Sequence, residues 1–311
     1  SLTSLSTTDH SCCSQILARL NRRLADTGIR VSIPSQRLDS FGVDMALQVA
    51  GEKKGGLTFA PEAGSQRLRD VINKNVTEDD LERATRAAFE AGWRRVKLYF
   101  MMGLPGERDE DIIAIANLAD KTYELDREVV PKAQRGNVSV SISCSVFIPK
   151  AQTPFQWCAQ TPDEEVKRRQ QLLLASVKNR AVRVHYHDAD TSLLEAVLSR
   201  GGRDITPLIV GAWKRGARFD AWTEQFDLSR WDDAAAELGI DLRAVASTPF
   251  DLGMRLPWEH VSPGIKRGFL EREYRKSLEG ETTPDCTRTS CTGCGICPTI
   301  HAANVLVGER G

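Results

Sequence analysis

Val96-Lys97-Leu98-Tyr99-Phe100-Met101-Met102-Gly103-Leu104-Pro105-Gly106-Glu107 decides the fold. Seven near-continuously apolar residues, followed at once by turn chemistry, read as a parallel strand buried on both faces. The flanks agree. Upstream, Thr77-Glu78-Asp79-Asp80 opens a helix with Leu81, Ala84, Ala88 and Ala91 on one side and Gly92 at its end. Downstream, residues 109–130 are helical with Ile112, Ile115, Ala116 and Ala119 inward. Helix, buried strand and helix in succession define a βα unit.

The same alternation extends in both directions. Strands are predicted over 2–6, 30–33, 57–60, 138–148 and 182–186, and helices over 11–25, 44–50, 163–178 and 192–199. The 11–25 helix carries Ile16, Leu17, Leu20 and Leu24 on one stripe. In residues 138–148, Val138, Val140, Ile142, Cys144, Val146 and Ile148 alternate with Ser139, Ser141, Ser143 and Ser145. A serine face is small and polar, and a barrel interior lined by it leaves room for a ligand; a solvated edge-strand face is the alternative. About five units precede residue 150, too few for a closed eight-fold barrel. From about residue 203 the chain is Trp- and Arg-rich with weak periodicity, as in a helical appendage.

Polar groups, glycines and prolines recur where strands end: Thr7-Thr8-Asp9, Pro34 to Arg37, Pro61 to Ser65, and Gly103 to Glu107. Parallel sheets bind ligands at that edge. Glu62 and Glu107 are suited to accept from an ammonium or a ribose hydroxyl, Arg37 to clamp a carboxylate, and Gly64, Gly103 and Gly106 to let a ligand approach the backbone. Ordinary turn chemistry explains any one of these runs alone.

Four cysteines close the chain: Cys286-x4-Cys291-x2-Cys294-x2-Cys297-Pro298. Thiolates at that density bind a metal, hold an iron–sulfur cluster or pair as disulfides. One short loop suits a cluster; zinc remains the rival. Cys144 reads as a small core hydrophobe, and Cys12, Cys13 and Cys158 form no ligand pattern. His185, His187, Asp188 and Asp190 are close in sequence, but hydrogen-bonded strand-end groups are the simpler reading. The cluster of Glu195, Arg200, Arg203 and Asp204 reads as a solvated helix end, with Arg200 and Arg203 able to meet an anion. Lys167-Arg168-Arg169 reads as a solvated face.

The 311 residues carry zero formal net charge, with 42 basic and 42 acidic side chains. Charge therefore gives no duplex-DNA or membrane-surface signal. No apolar run reaches bilayer length. Eight cysteines without a signal peptide point to a reducing cytoplasm.

The stretch from GLTFAPEAGSQRLRDVINKNVTEDDL to KLYFMMGLPGERDED, Gly56 to Asp111, resembles the second half of a radical S-adenosylmethionine (SAM) core. It is most similar to the cobalamin-binding branch of that superfamily. SLSTTDHS, PSQRLDS, EAVLSRGGRD, RLPWEHV and DCTRTSCTGCGICP are similar to an uncharacterised family within the branch. The resemblance implies an α/β fold: a partial (β/α)6 TIM-like barrel lacking its first strand over residues 1–200, then a mostly helical extension over 201–311 ending in the cysteine loop. It implies a 4Fe–4S cluster and SAM as cofactors, cobalamin in the full-length protein, and an unknown substrate. By position, Thr7, Thr8, Asp9, Arg37, Glu62, Gly64, Ser65, Gly103, Leu104, Pro105 and Glu107 would face SAM. Cys286, Cys291, Cys294 and Cys297 would hold an auxiliary cluster or zinc.

The Cys-x3-Cys-x2-Cys loop that ligates the superfamily's catalytic cluster is not in the sequence, and Cys12-Cys13 does not replace it. The expectation is therefore an N-terminally truncated radical SAM enzyme that cannot cleave SAM alone, with no residue assigned as catalytic. A non-catalytic metal-binding scaffold and a phosphosugar- or nucleotide-binding barrel enzyme with structural zinc are the competing readings.

Overall fold

The structure, a computed structural model, describes residues 10, 12–29, 31, 56–286 and 289–303. The strands expected over 2–6 and 30–33 and the helix over 44–50 lie outside the described residues. So do Thr7, Thr8, Asp9 and Arg37.

The described residues form an α/β protein whose elements alternate along the chain. After α1 (Cys13–Leu24) come β1 (Leu57–Glu62), α2 (Gln66–Val71), α3 (Glu78–Glu90), β2 (Arg95–Met102), α4 (Asp109–Val129), β3 (Ser139–Val146), α5 (Asp163–Ser176), β4 (Val182–Tyr186) and α6 (Ala189–Arg200). Helices α7 (Thr206–Lys214), α8 (Ser229–Leu238), α9 (Leu242–Ser247), α10 (Arg267–Glu279) and α11 (Ile296–Thr299) follow. The strands make one sheet in the order β1-β2-β3-β4, with β1 parallel to β2 and β3 parallel to β4. Neighbouring strands in space are consecutive in sequence, each reached through a helix, which is the βα repetition expected from the pattern.

Two compact units divide the chain. Residues 107–145 and 169–186, together with the described residues up to Met102, form the first. Residues 103–106, 146–168 and those from His187 onward form the second.

In the first unit, Leu57, Phe59, Val96, Leu98, Phe100, Val140 and Ile142 project from one face of the sheet and are buried. Leu81, Ala84, Ala88, Ile112, Ile115 and Ala119 of α3 and α4 are buried with them. Strand β2 differs from the expectation of burial on both faces. Val96, Leu98, Phe100 and Met102 are buried, but Lys97, Tyr99 and Met101 are only half-buried. Strand β1 runs through Pro61 to Glu62, past the proline expected to stop it. Proline is tolerated there because the register shifts between Phe59 and Glu62, a bulge that needs no amide from residue 61. On α1, Leu17 is buried and Leu20 and Leu24 are half-buried, as expected of the stripe; Ile16 is exposed, and Cys13 is buried in its place.

The second unit has cores of its own. Leu193, Ala196, Val197, Leu208, Ala212, Trp231, Ala234, Leu242 and Ala246 cluster from α6 to α9. A Cβ on Gly211 would stand 3.1 Å from the Ala234 Cβ, so α7 and α8 approach closely through small residues. Trp157, Leu256 and Leu270 form a second cluster with Phe250, Trp258 and Tyr274 against it.

Candidate functional site

Strand β1 ends on Glu62, whose backbone is left-handed (φ 69°). Non-glycine residues rarely adopt that region, and such strain concentrates at functional sites. The Glu62 carboxylate accepts from Lys74 Nζ at 3.0 Å. Two residues on, Gly64 has no room for a side chain: a Cβ would lie 2.2 Å from the Asp111 carbonyl oxygen and 2.5 Å from the Ile115 amide. At Gly64 it is α4 that approaches the backbone. Ser65 caps α2 by accepting the Leu68 amide at 3.1 Å. Arg69, 1% exposed, donates to the carbonyls of Ala63 and Gly64 at 3.0 and 3.1 Å and holds the turn from inside.

Asp111 ties this turn to the start of α4. Its carboxylate accepts from the Ser65 hydroxyl, from Arg67 and from the Arg108 amide, the last at 2.7 Å. The side chain is 3% exposed, so a charge sits buried but fully engaged. Asp111 was not legible as a site residue, because Ser65 and Arg67 lie 46 and 44 residues away; Arg69 was not, because only the fold shows its charge turned inward onto its own turn.

After β2, Gly103 (φ 88°) accepts the Thr161 hydroxyl on its carbonyl at 3.1 Å, and a Cβ there would meet Thr161 Oγ1 at 2.9 Å. Leu104 is buried and Pro105 half-buried. Gly106 (φ 72°) has open space where a Cβ would stand. In the first unit, Glu107 is buried and pairs with Arg169 Nη1 at 2.5 Å; the two side chains are 1% and 13% exposed. Arg169 therefore does not belong to a solvated face as expected. Helix α5 turns Arg169 inward, while Arg168 pairs with Glu165 on its own helix.

Arg200 is likewise not at a solvated helix end. It is 1% exposed, donates to the carbonyls of Cys158, Val245 and Thr248, and lies 4.3 Å over the Phe250 ring. Its donors are committed to backbone, so it is not available to an anion. His185 and His187 are exposed, and among the described residues no three His, Cys, Asp or Glu side chains are grouped to hold a metal ion.

The four C-terminal cysteines are half-buried, except for Cys291, which is exposed. Gly293 (φ 78°) and Gly295 (φ 96°) give the loop its left-handed turns. The Gly293 amide points at the Cys291 sulfur at 3.4 Å, and the Lys266 amide donates to the Cys294 carbonyl at 2.9 Å. Burial pushes the Cys286 thiol up, and the neighbouring Asp285, Cys294 and Cys297 add to the shift. A bound cation would reverse that push, because it stabilises thiolates. Cys144 and Cys158 are buried, with thiols pushed up to about 12 and about 11, chiefly by burial. Such thiols are inert packing groups.

A four-stranded βα sheet whose strands end in strained, glycine-rich and acidic turns makes an α/β core. Residues 2–119 match the family model described as the Radical SAM superfamily. The chain is 30% identical over 213 residues to an uncharacterized protein of Methanocaldococcus jannaschii, a span of 66% of this chain and 44% of that protein. It thus spans less than half the length of that relative. The match supports a radical SAM-type function in general, with the 4Fe–4S cluster and SAM that the superfamily implies.

The residues present do not fit the catalytic cluster. Cys12 is exposed and Cys13 buried, so the adjacent thiols project apart, and no cysteine follows at ligand spacing. The four C-terminal cysteines supply thiol donors from one loop, but among the described residues they are not grouped as a metal site.

Proposed function

We propose that this chain is part of a radical SAM enzyme, its sheet one section of a partial (β/α)6 barrel. The observation that carries the reading is the superfamily match, which runs across β1, β2 and their strand-end turns. Glu62 and Ser65 after β1 and Gly103, Leu104, Pro105 and Glu107 after β2, with Thr7, Thr8, Asp9 and Arg37, are the residues proposed to serve SAM; Gly64 is taken by α4. Lys74 and Arg169 hold Glu62 and Glu107 in place until a ligand competes for them.

In the superfamily, a 4Fe–4S cluster and SAM supply a 5′-deoxyadenosyl radical. No Cys-x3-Cys-x2-Cys triplet is among these 311 residues to hold that cluster. Cys286, Cys291, Cys294 and Cys297 are proposed to hold an auxiliary iron–sulfur cluster or a structural zinc. Cobalamin is carried by the resemblance alone, and its retention by the whole protein tests it. A reducing cytoplasm is the proposed location, and the thiol-rich composition is its support.

The deciding experiment is anaerobic incubation of the whole protein with SAM and dithionite. Formation of 5′-deoxyadenosine is expected; its absence from a cluster-loaded preparation sinks the reading. The four-cysteine loop favours one second reading, a non-catalytic metal-binding scaffold, which predicts metal without SAM cleavage.

A further inference from the structure

The face of the sheet opposite the helices carries an ordered set of cations. Thr58 pairs with Lys97, Ser141 with Arg183, and Ser143 with His185. The Ser139 amide donates to the Arg94 carbonyl at 2.9 Å and the Ser145 hydroxyl to the Phe100 carbonyl at 3.5 Å, which sets the register between β2 and β3. In that register Lys97 stands beside Ser141, and Tyr99 beside Ser143. Two rows therefore cross the sheet: Lys97, Ser141 and Arg183, then Tyr99, Ser143 and His185. Strands lie about 4.8 Å apart, so Lys97 and Arg183 flank Ser141 with Cα atoms about 10 Å from each other. Both side chains are long enough to converge on one group above the serine.

No carboxylate stands in these rows. Lys97 packs over the Tyr99 ring at 4.7 Å, and among the described residues neither Lys97 nor Arg183 has an ion-pair partner. Lys97, Tyr99 and Ser141 are half-buried, whereas Arg183 and His185 are exposed. Some other basic side chains of the same unit do have acidic partners, as in Lys74–Glu62, Lys121–Glu78 and Arg169–Glu107. Two cations, flanking a hydroxyl and lacking a counter-ion, make a site for an oxyanion. The guanidinium offers a planar fork, the ammonium a point charge, and the serine a short donor between them.

We propose that this face binds the anionic group, a phosphate or a carboxylate, of the enzyme's substrate. The assignment of that anion to a substrate rests on the radical SAM reading; the anion site itself does not.

The test is thermal unfolding of the 311-residue chain with sodium phosphate or with succinate, at ionic strength matched by sodium chloride. One or both probes are expected to raise the melting temperature by about 3 °C at roughly ten times Kd. A response to phosphate alone names a phosphate ester, and one to succinate alone names a carboxylate. Arg183→Met, at an exposed position, and Lys97→Met, which keeps the aliphatic packing, are each expected to lose most of the response. Lys214→Met, on α7, should keep it. Melting without probe and the far-ultraviolet spectrum show that each variant folds. No response in the wild type, or equal responses in all four proteins, overturns the proposal. Formation of 5′-deoxyadenosine by the whole protein judges the other reading separately. An anion response without it leaves a βα anion-binding protein that is not a radical SAM enzyme; the converse leaves the enzyme without this site.

Discussion

At Gly64 the absence of one carbon lets α4 lie directly against the turn after β1. Gly64→Ala would set a methyl group 2.2 Å from a backbone oxygen that cannot yield without moving the helix. A loss of about 2–4 kcal/mol in unfolding free energy is expected, read from the urea midpoint at constant m-value. Glu107→Gln leaves Arg169 facing a neutral amide in a buried position and should cost about 3 kcal/mol by the same measurement. Turn chemistry made Glu62, Gly64 and Glu107 legible as strand-end residues. Their partners were not legible. Asp111 lies 46 residues from Ser65, and Arg169 lies 62 from Glu107, separations that no local pattern encodes. Arg200 shows the same limit in reverse: its charge suggested solvent, and only the fold reveals three carbonyls waiting for it.

Among the elements, α3 has the most complete local signal, and the structure reproduces it. The Thr77 hydroxyl accepts the Asp80 amide at 3.1 Å, and Asp80 accepts the Thr77 amide at 2.9 Å. Thr77→Ala should cost about 1 kcal/mol. Burial pushes the Asp80 carboxyl up, but the Thr77 amide and hydroxyl and the Arg83 guanidinium outweigh it, and its net position is below the ordinary aspartate value. A depressed folded value adds stability that is fully present above the unfolded value, about 3.9, and is lost as pH falls through the folded one. Asp80→Asn is therefore expected to be less stable than the wild type at neutral pH and to converge with it in acid, as urea titrations across pH will show. Strand β2 taught the opposite lesson. Lys97, Tyr99 and Met101 sit between apolar neighbours without polar contrast, so alternation was hidden in a run that read as uniformly apolar. The serines of β3 made the same face legible one strand later.

For the molecule as a whole, the order of strands and longer helices from Leu57 to Arg200 followed from periodicity and caps, because βα units are local in sequence; the six-residue α2 was missed. The cores of the second unit did not. They draw on alanines and isolated tryptophans spread from Leu193 to Ala246, whose spacing carries no strong period. The cysteine loop was legible as a dense thiol motif, and its four sulfurs are not grouped as a metal site among the described residues. Anaerobically purified chain is expected to carry stoichiometric metal. Iron with sulfide and absorption near 400 nm identifies a cluster, whereas colourless zinc identifies a structural clip. Metal absent from the wild type, or equal in Cys286→Ala, removes the site. The isolated chain should form no 5′-deoxyadenosine above that same variant.

The distribution of sulfur has a practical corollary for chemical labelling. Cys13, Cys144 and Cys158 are buried, which leaves Cys12 and the four cysteines of the terminal loop open to an alkylating reagent while the protein stays folded. Brief treatment with iodoacetamide followed by intact-mass measurement then becomes a ligand-occupancy gauge. Apoprotein should gain mass at the loop, metal-loaded protein chiefly at Cys12, and the fraction of shielded molecules can be read from one spectrum without knowing which metal is bound.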